Sequence, residues 1–446
     1  MLKRLIGFTV VLSCILLPLS LAQAQDGINW QDELGDWSGK TLNVLMIGDP
    51  WVTAFDEINP GFEDLTGAKV VVDAYGYDAT HEKEVLVGTS KSSDYDVIVL
   101  DAPWVGEFAE GGFVEDLTPY IDATDPAIIA WDDFMPSFID VVTWKGQIVG
   151  VPFGPYVLLN HYRTDLFEAA GLTPPETIPD FVADAAALTK DGMYGAAMNY
   201  QRGSAIGQAW FEYIYAFGGK PFESTYPGSP DAYADMTPLL DSPESIAVVQ
   251  FFKDMLQYVP VGAENVAWDD RAALFATGQV AMVNAWTVRT PGFANPEQSV
   301  VVDKFATAMF PHAEGAEPSP PLGGWLMGIN TYATQKDMAW DYIKWFTSQE
   351  TLKKFVLAGG PPARLSHMED PDILAAQHWI PTVAASVPYT YADCRPRIPE
   401  SSEIITTIGN YVSQAVVGEM SVEDAMKAAD NDIATLLKDA GYVVNQ

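Results

Sequence analysis

Cysteine is nearly absent. The 446-residue chain has two, Cys14 and Cys394, and Cys14 sits inside the one long apolar run, Leu5 to Leu21. That run follows Lys3 and Arg4 and ends at Ala22-Gln23-Ala24, a small-x-small pattern. It is short for a membrane span and Pro18 interrupts it, so residues 1–24 read as a cleavable export signal and the mature chain starts at Gln25. Cys14 lies mid-run, which argues against a lipoprotein site. With the leader removed Cys394 stands alone, and an intrachain disulfide is excluded although the periplasm would permit one. Stability must come from the cores.

Positive charge is also scarce. The 24 Lys and Arg face 60 Asp and Glu, a formal net charge of -36. Nucleic acid is excluded as a partner, because phosphate backbones need basic patches. The five histidines (His81, His161, His312, His367 and His378) show no metal-ligand spacing. No phosphate-binding glycine loop, no HExxH, no GxSxG and no CxxC occurs. Neither a cofactor nor a metal is expected, and no catalytic residue is marked. Among so many carboxylates a glycosidase-like pair remains an open alternative, so a secreted carbohydrate-active enzyme stays in view.

What is present is apolar and aromatic. Hydrophobic residues make up 48% and charged residues 19%, which describes a globular chain long enough for two lobes. The order Thr41–Ile47 strand, helix with Phe55, Ile58 and Phe62 on one face, Lys69–Val72 strand, Thr80–Ser90 helix, Asp96–Leu100 strand is an open α/β pattern. Pro60 predicts a kink or break in the first helix. Such sheets bind ligands at the carboxyl ends of their strands. Asp49-Pro50-Trp51 and Asp101-Ala102-Pro103-Trp104 both fall there, each pairing a carboxylate with an indole. Gly146–Phe167 holds two apolar runs around Pro152-Phe153-Gly154-Pro155, which reads either as a passage between lobes or as a hairpin within one sheet. Later, Ser242-Pro243 opens a helix, Val280–Val283, Phe305–Met309 and Gly324–Ile329 are strands, and Thr334 with Asp337 predicts a capping box. Helices follow at 349–358, 370–384, 401–417 and 421–440. Thirteen Trp and 19 Tyr, several just past strand ends, suit a neutral sugar, whose C–H faces stack on indole and whose rim bonds Asp, Asn, Gln and Arg.

Several segments carry a family likeness: PGFEDLTGAKV, VPFGPYVLLNHYRTDLFEAAGLTPPETIPDF, RAALFATGQVAMVNAW, GGWLMGINTYATQKDMAWDYIKWFTSQE and GGPPAR. In order and spacing they resemble the sugar-binding extracellular solute-binding proteins of bacterial ABC importers, the group that includes maltose-binding protein. The resemblance implies an α/β periplasmic binding fold of two lobes with three hinge crossings. One lobe would be 25–153 plus 311–347, the other 154–310 plus 348–446. It implies a monomer that holds a neutral mono- or oligosaccharide or a polyol in its cleft and delivers it to a permease with its ATPase. It carries Trp286 and Trp325 over as stacking residues, Asp101 with Trp104 beside it as a hydroxyl acceptor, Tyr156 as cleft lining and Arg364 as a donor. Asp49, Trp51, Gln201, Arg202, Asn284 and Arg289 are further candidates by position. Arg202, Arg289 and Arg364 also leave open an anionic ligand such as a glycerol phosphate diester.

Overall fold

The computed structural model describes residues 27–224 and 233–445, so the expected leader and part of the 218–241 loop lie outside the described residues. The strands are β1 (Thr41–Ile47), β2 (Lys69–Tyr75), β3 (Val97–Asp101), β4 (Thr143–Trp144), β5 (Gln147–Ile148), β6 (Val151–Arg163), β7 (Tyr194–Ala197), β8 (Val280–Trp286), β9 (Phe305–Met309) and β10 (Leu322–Ile329). Helices separate most of them, as an α/β pattern requires. The central mixed sheet runs β2-β1-β3-β10-β6-β8-β7, with β9 also on β6. Strands β1, β2 and β3 are parallel, and β10 is antiparallel to both β3 and β6.

Strand β6 is the longest. The two runs expected around Pro152 and Pro155 form one 13-residue strand. Its first half pairs with β10 and its second half with β8 and β9. The prolines are tolerated because the ladder shifts register there: Trp325 opposes Gly154 and Leu326 opposes Pro152, leaving Phe153 as the extra residue of a bulge. Phe153 packs edge-on against Trp51, centroids 5.2 Å apart. Opposite, Gly324 has φ +125°, and a Cβ there would meet the Gly154 carbonyl at 2.2 Å. Only glycine fits that crossing of backbones.

Local chemistry explains the other departures. Helix Val52–Thr66 continues through Pro60 without a break. Pro60 and Asp56 are both exposed, so the carbonyl that proline cannot bond is open to solvent. The Thr334 capping box does not form. Helix Lys336–Phe346 starts after Gln335, whose side-chain amide donates to the Thr41 carbonyl at 3.0 Å instead. The 370–384 segment is two helices, Pro371–Ala376 and Ile380–Ser386, broken where the Gln377 amide donates to the Val356 carbonyl at 2.6 Å. Ser242 caps its helix as expected, accepting from the Ser245 amide at 3.2 Å.

Two buried polar groups tie the layers together. Arg271 and Glu212 form a two-pronged pair at 3.0 Å between helices Trp268–Ala276 and Ser204–Ile214. His161 on β6 lies edge-on to Phe293 with centroids 5.1 Å apart, its Nε2 2.8 Å from Thr290 Oγ1. Burial holds its pKa down at about 3. The unfolded chain therefore takes up a proton below its ordinary pKa of 6.5 that the fold refuses. Stability from this group is complete above that pH and is lost as pH falls toward 3. His161→Gln is expected to flatten the slope of unfolding free energy between about pH 6 and 4 by up to ~1.4 kcal/mol per pH unit. Urea melts of both proteins across that range measure it, and equal slopes would show the imidazole is not held neutral.

Candidate functional site

At the carboxyl ends of β1, β3 and β8 lies a cavity of about 220 Å³. Ile47, Gly48 and Asp49 enter it from the end of β1, and Asp101 from the last residue of β3. Trp286, last in β8, contributes with Val288 and Arg289 from the turn that follows. Gly323, Gly324 and Trp325 of β10 and Tyr156 of β6 form further wall. Tyr77 and Trp268, each the first residue of a helix, project from opposite helix N-termini and meet at 5.4 Å between centroids. Gln208, Arg395, Gly76, Asp78 and Asp269 complete the lining.

Two polar circuits occupy this cavity. In the first, Tyr77 donates to Asp101 Oδ2 at 2.7 Å, and Arg395 Nη1 donates to the same oxygen at 3.2 Å and to Gln208 Oε1 at 3.0 Å. The Gln208 amide returns to the Tyr77 hydroxyl at 2.9 Å, closing the loop. Asp101 Oδ1 accepts from the Ala102 amide at 2.8 Å, which fixes the carboxylate to its turn. Burial pulls the Arg395 pKa down, but the carboxylate of Asp101 beside it prevails and holds it above the usual value. The Nε of Arg395 is buried with no hydrogen-bond partner. Burial, and then Asp101, push the Tyr77 hydroxyl well above its usual range, so it stays a donor.

In the second circuit Trp51 Nε1 donates to the Tyr156 hydroxyl, which donates to Asp49 Oδ2 at 2.6 Å. Arg289 Nη2 meets Asp49 Oδ1 at 3.1 Å and Asp269 at 2.6 Å. Burial raises the Asp49 pKa, and Arg289 offsets it. Four carboxylates (Asp49, Asp78, Asp101 and Asp269) thus line a cavity with two guanidiniums, Arg289 and Arg395, both already paired. An anion would meet surplus negative charge there.

Of the candidates read from the sequence, the structure brings Asp49, Asp101, Tyr156, Trp286, Arg289 and Trp325 together in this cavity. Trp104 and Trp51 stand one layer back. Trp104 is buried against Trp325 at 5.5 Å and Tyr77 at 5.1 Å, and Trp51 packs on Phe55 at 5.6 Å. Arg364 lies elsewhere and is fully buried. Its Nε donates to the Thr347 carbonyl at 3.1 Å, and its terminal nitrogens donate to the Ile129 and Ala130 carbonyls at 3.0 Å, so it caps the ends of helices Pro126–Ile129 and Lys336–Phe346 and lies outside the cavity. Asn284 is spent on Tyr213 of helix Ser204–Ile214, at 2.7 Å, and on Asn160 of β6, at 2.9 Å. Gln201 and Arg202 are exposed outside the cavity, and Arg202 bonds Asn410 at 3.2 Å.

The sequence reading missed Tyr77, Gln208, Trp268 and Arg395. Tyr77 was findable, since Gly76-Tyr77 follows the end of β2 as Asp49 follows β1. A larger void of about 1000 Å³, lined by Tyr215, Tyr391, Asp393 and Arg397 among others, holds none of the expected residues. Among the described residues no group of three His, Cys, Asp or Glu is placed to hold a metal ion.

The profile described as bacterial extracellular solute-binding protein matches residues 48–353. A probable amino-acid ABC transporter periplasmic-binding protein of Sinorhizobium fredii is 26% identical, covering 91% of each chain. The mannitol-binding protein of Pseudomonas aeruginosa is 28% identical over 71% of this chain and 76% of its own. A crystal structure of an ABC transporter solute-binding protein from Agrobacterium radiobacter in complex with ribitol superposes with a TM-score of 0.83 at 31% identity, covering 90% of this chain and 99% of that one.

Proposed function

The chain belongs to the bacterial extracellular solute-binding proteins of ABC transporters, a non-catalytic family, and on that premise we propose that it captures a short neutral polyol or a single sugar ring. The observation that carries this is the cavity itself. Indole and phenol faces from Trp268, Trp286, Trp325 and Tyr77 surround a ring of paired carboxylates, guanidinium and amide. Aromatic faces take C–H edges, and the polar ring takes hydroxyls as both donors and acceptors. A volume of about 220 Å³ is below the roughly 300–1,000 Å³ of drug-sized pockets. A space of that size suits a five- or six-carbon polyol better than a trisaccharide. The carboxylate excess argues against the glycerol phosphate reading.

The ligand reaches this cavity, in our reading, through a hinge. Residues 25–153 plus 311–347 would move against 154–310 plus 348–446, with three crossings. The division of β6 between two sets of partners supports that, as do the pairs Asp49–Arg289 and Asp101–Arg395, which span the proposed boundary. Closure would present both halves to a permease in the membrane, and the solute would be held in the periplasm until then.

Thermal melts with ribitol, mannitol, maltotriose, an amino acid and glycerol phosphate test the ligand class. A ligand at a hundred times its Kd stabilises by about 2.7 kcal/mol, a rise of a few degrees in Tm. Ribitol or mannitol is expected to give that rise. A response to the amino acid or the phosphate ester alone would overturn the polyol assignment. Solution scattering with the best polyol should show a smaller radius of gyration, and superimposable profiles would sink the hinge.

A further inference from the structure

Arg395 lines the cavity, and the segment that carries it lies between two voids. Arg395 lines the 220 Å³ chamber, whereas Asp393 and Arg397 of the same segment line the 1000 Å³ void on the other side. The partition is pinned on both faces. The Cys394 thiol donates to the Leu322 carbonyl of β10 at 2.6 Å. Arg397 Nη1 donates to the Asp140 and Val141 carbonyls at 2.7 and 2.9 Å, and its Nε to Asp393 at 2.8 Å. The guanidinium of Arg395 is itself held by Asp101 and Gln208, 5.8 Å from the Trp286 ring centroid. Its seat exists because residue 323 is glycine: a Cβ there would meet Arg395 Nη2 at 2.8 Å and the Trp286 ring at 3.4 Å.

We propose that Arg395, seated against Gly323, is the length-determining residue of the site, a fixed end wall that admits one sugar ring or a six-carbon chain and rejects a disaccharide. The proposal rests on the polyol reading above. A wall made of a charged, hydrogen-bonded side chain has two separable parts. Its volume limits ligand length, and its guanidinium, which lines the chamber, donates to the last hydroxyl. Shortening the side chain opens the chamber toward the void behind the partition. Crowding it from residue 323 moves the wall inward.

Calorimetric titration with erythritol, ribitol, mannitol and maltose measures both parts. Wild type is expected to bind ribitol or mannitol and to give no heat with maltose. Arg395→Met keeps the bulk and loses the donors, so polyol binding should fall about thirtyfold or more while maltose stays excluded. Arg395→Ala should lose polyol affinity similarly and gain measurable maltose binding. Gly323→Ala keeps every charge, which guards against the Arg395 variants failing to fold. It should weaken mannitol about tenfold more than erythritol, shifting the preference to a shorter chain. The wall assignment is overturned if wild type takes maltose as well as polyols, or if Gly323→Ala weakens all lengths alike. It is also overturned if a folded Arg395→Ala still rejects maltose. A wild type that binds no polyol at all overturns the polyol reading instead.

Discussion

Asp101→Ala is expected to abolish practical polyol binding and to destabilise the fold. One carboxylate serves three donors: Tyr77 and Arg395 on Oδ2 and the Ala102 amide on Oδ1. Asp101 is only 4% exposed, so its loss leaves three donors in a largely desolvated setting. Truncation leaves the Arg395 guanidinium buried with Gln208 as its remaining partner. Breaking a buried pair by removing one member costs about 3–5 kcal/mol of stability. In binding, losing one partner of a desolvated charge pair costs about 2–5 kcal/mol, from roughly thirtyfold to several thousandfold in Kd. Asp101→Asn keeps the shape and one acceptor oxygen, so it should fold and bind between wild type and Ala. Chemical denaturation gives the first quantity and calorimetry the second. An alanine variant that melts with wild type and binds within about threefold of it would show that the circuit is not the site.

Trp286→Ala carries the second large effect. The indole stands at the end of β8 with 9% of its surface exposed, in the cavity wall. The contact of its uncovered edge with a ligand is worth about 0.5–1.5 kcal/mol, roughly threefold to tenfold in Kd. Trp104 supplies the contrast. It is 2% exposed and packs behind Trp325 and Tyr77. Trp104→Phe should therefore cost stability while changing affinity much less than Trp286→Ala. If the two variants lose affinity equally, stacking on Trp286 is not the source of binding.

Local rules carried much of this fold. β1 and β9 stand at their expected bounds because β-branched and apolar runs met clear turn signals. The strand-end rule placed Asp49 and Asp101 at one cavity, because the parallel strands β1 and β3 share a carboxyl edge, whereas Trp286 came from the family resemblance and reaches the cavity on β8, antiparallel to β6. The same rule erred where the chain turns back after a strand: Pro50 and Pro103 lead Trp51 and Trp104 inward, against Phe55 and Trp325. Arg364 was misplaced for a different reason. A single arginine after Gly-Gly-Pro-Pro-Ala gives no local sign whether it faces a ligand or caps helix ends, and the Thr347 carbonyl 17 residues away and the Ile129 and Ala130 carbonyls 235 and 234 residues away decided it. Arg395 was invisible for the same cause. Its partners Asp101 and Gln208 are 294 and 187 residues away, and only the folded sheet brings them together. Trp268 and Gln208 likewise owe their place to where helices begin and lie against the sheet.

The most direct test is a crystal structure of the protein with the polyol that raises its melting temperature most. One ligand is expected in the chamber at the ends of β1, β3 and β8, stacked on Trp286 or Trp325 and bonded to Asp101 and Arg395. Ligand found instead in the larger void beside Tyr215 and Tyr391, with that chamber empty, would contradict the account.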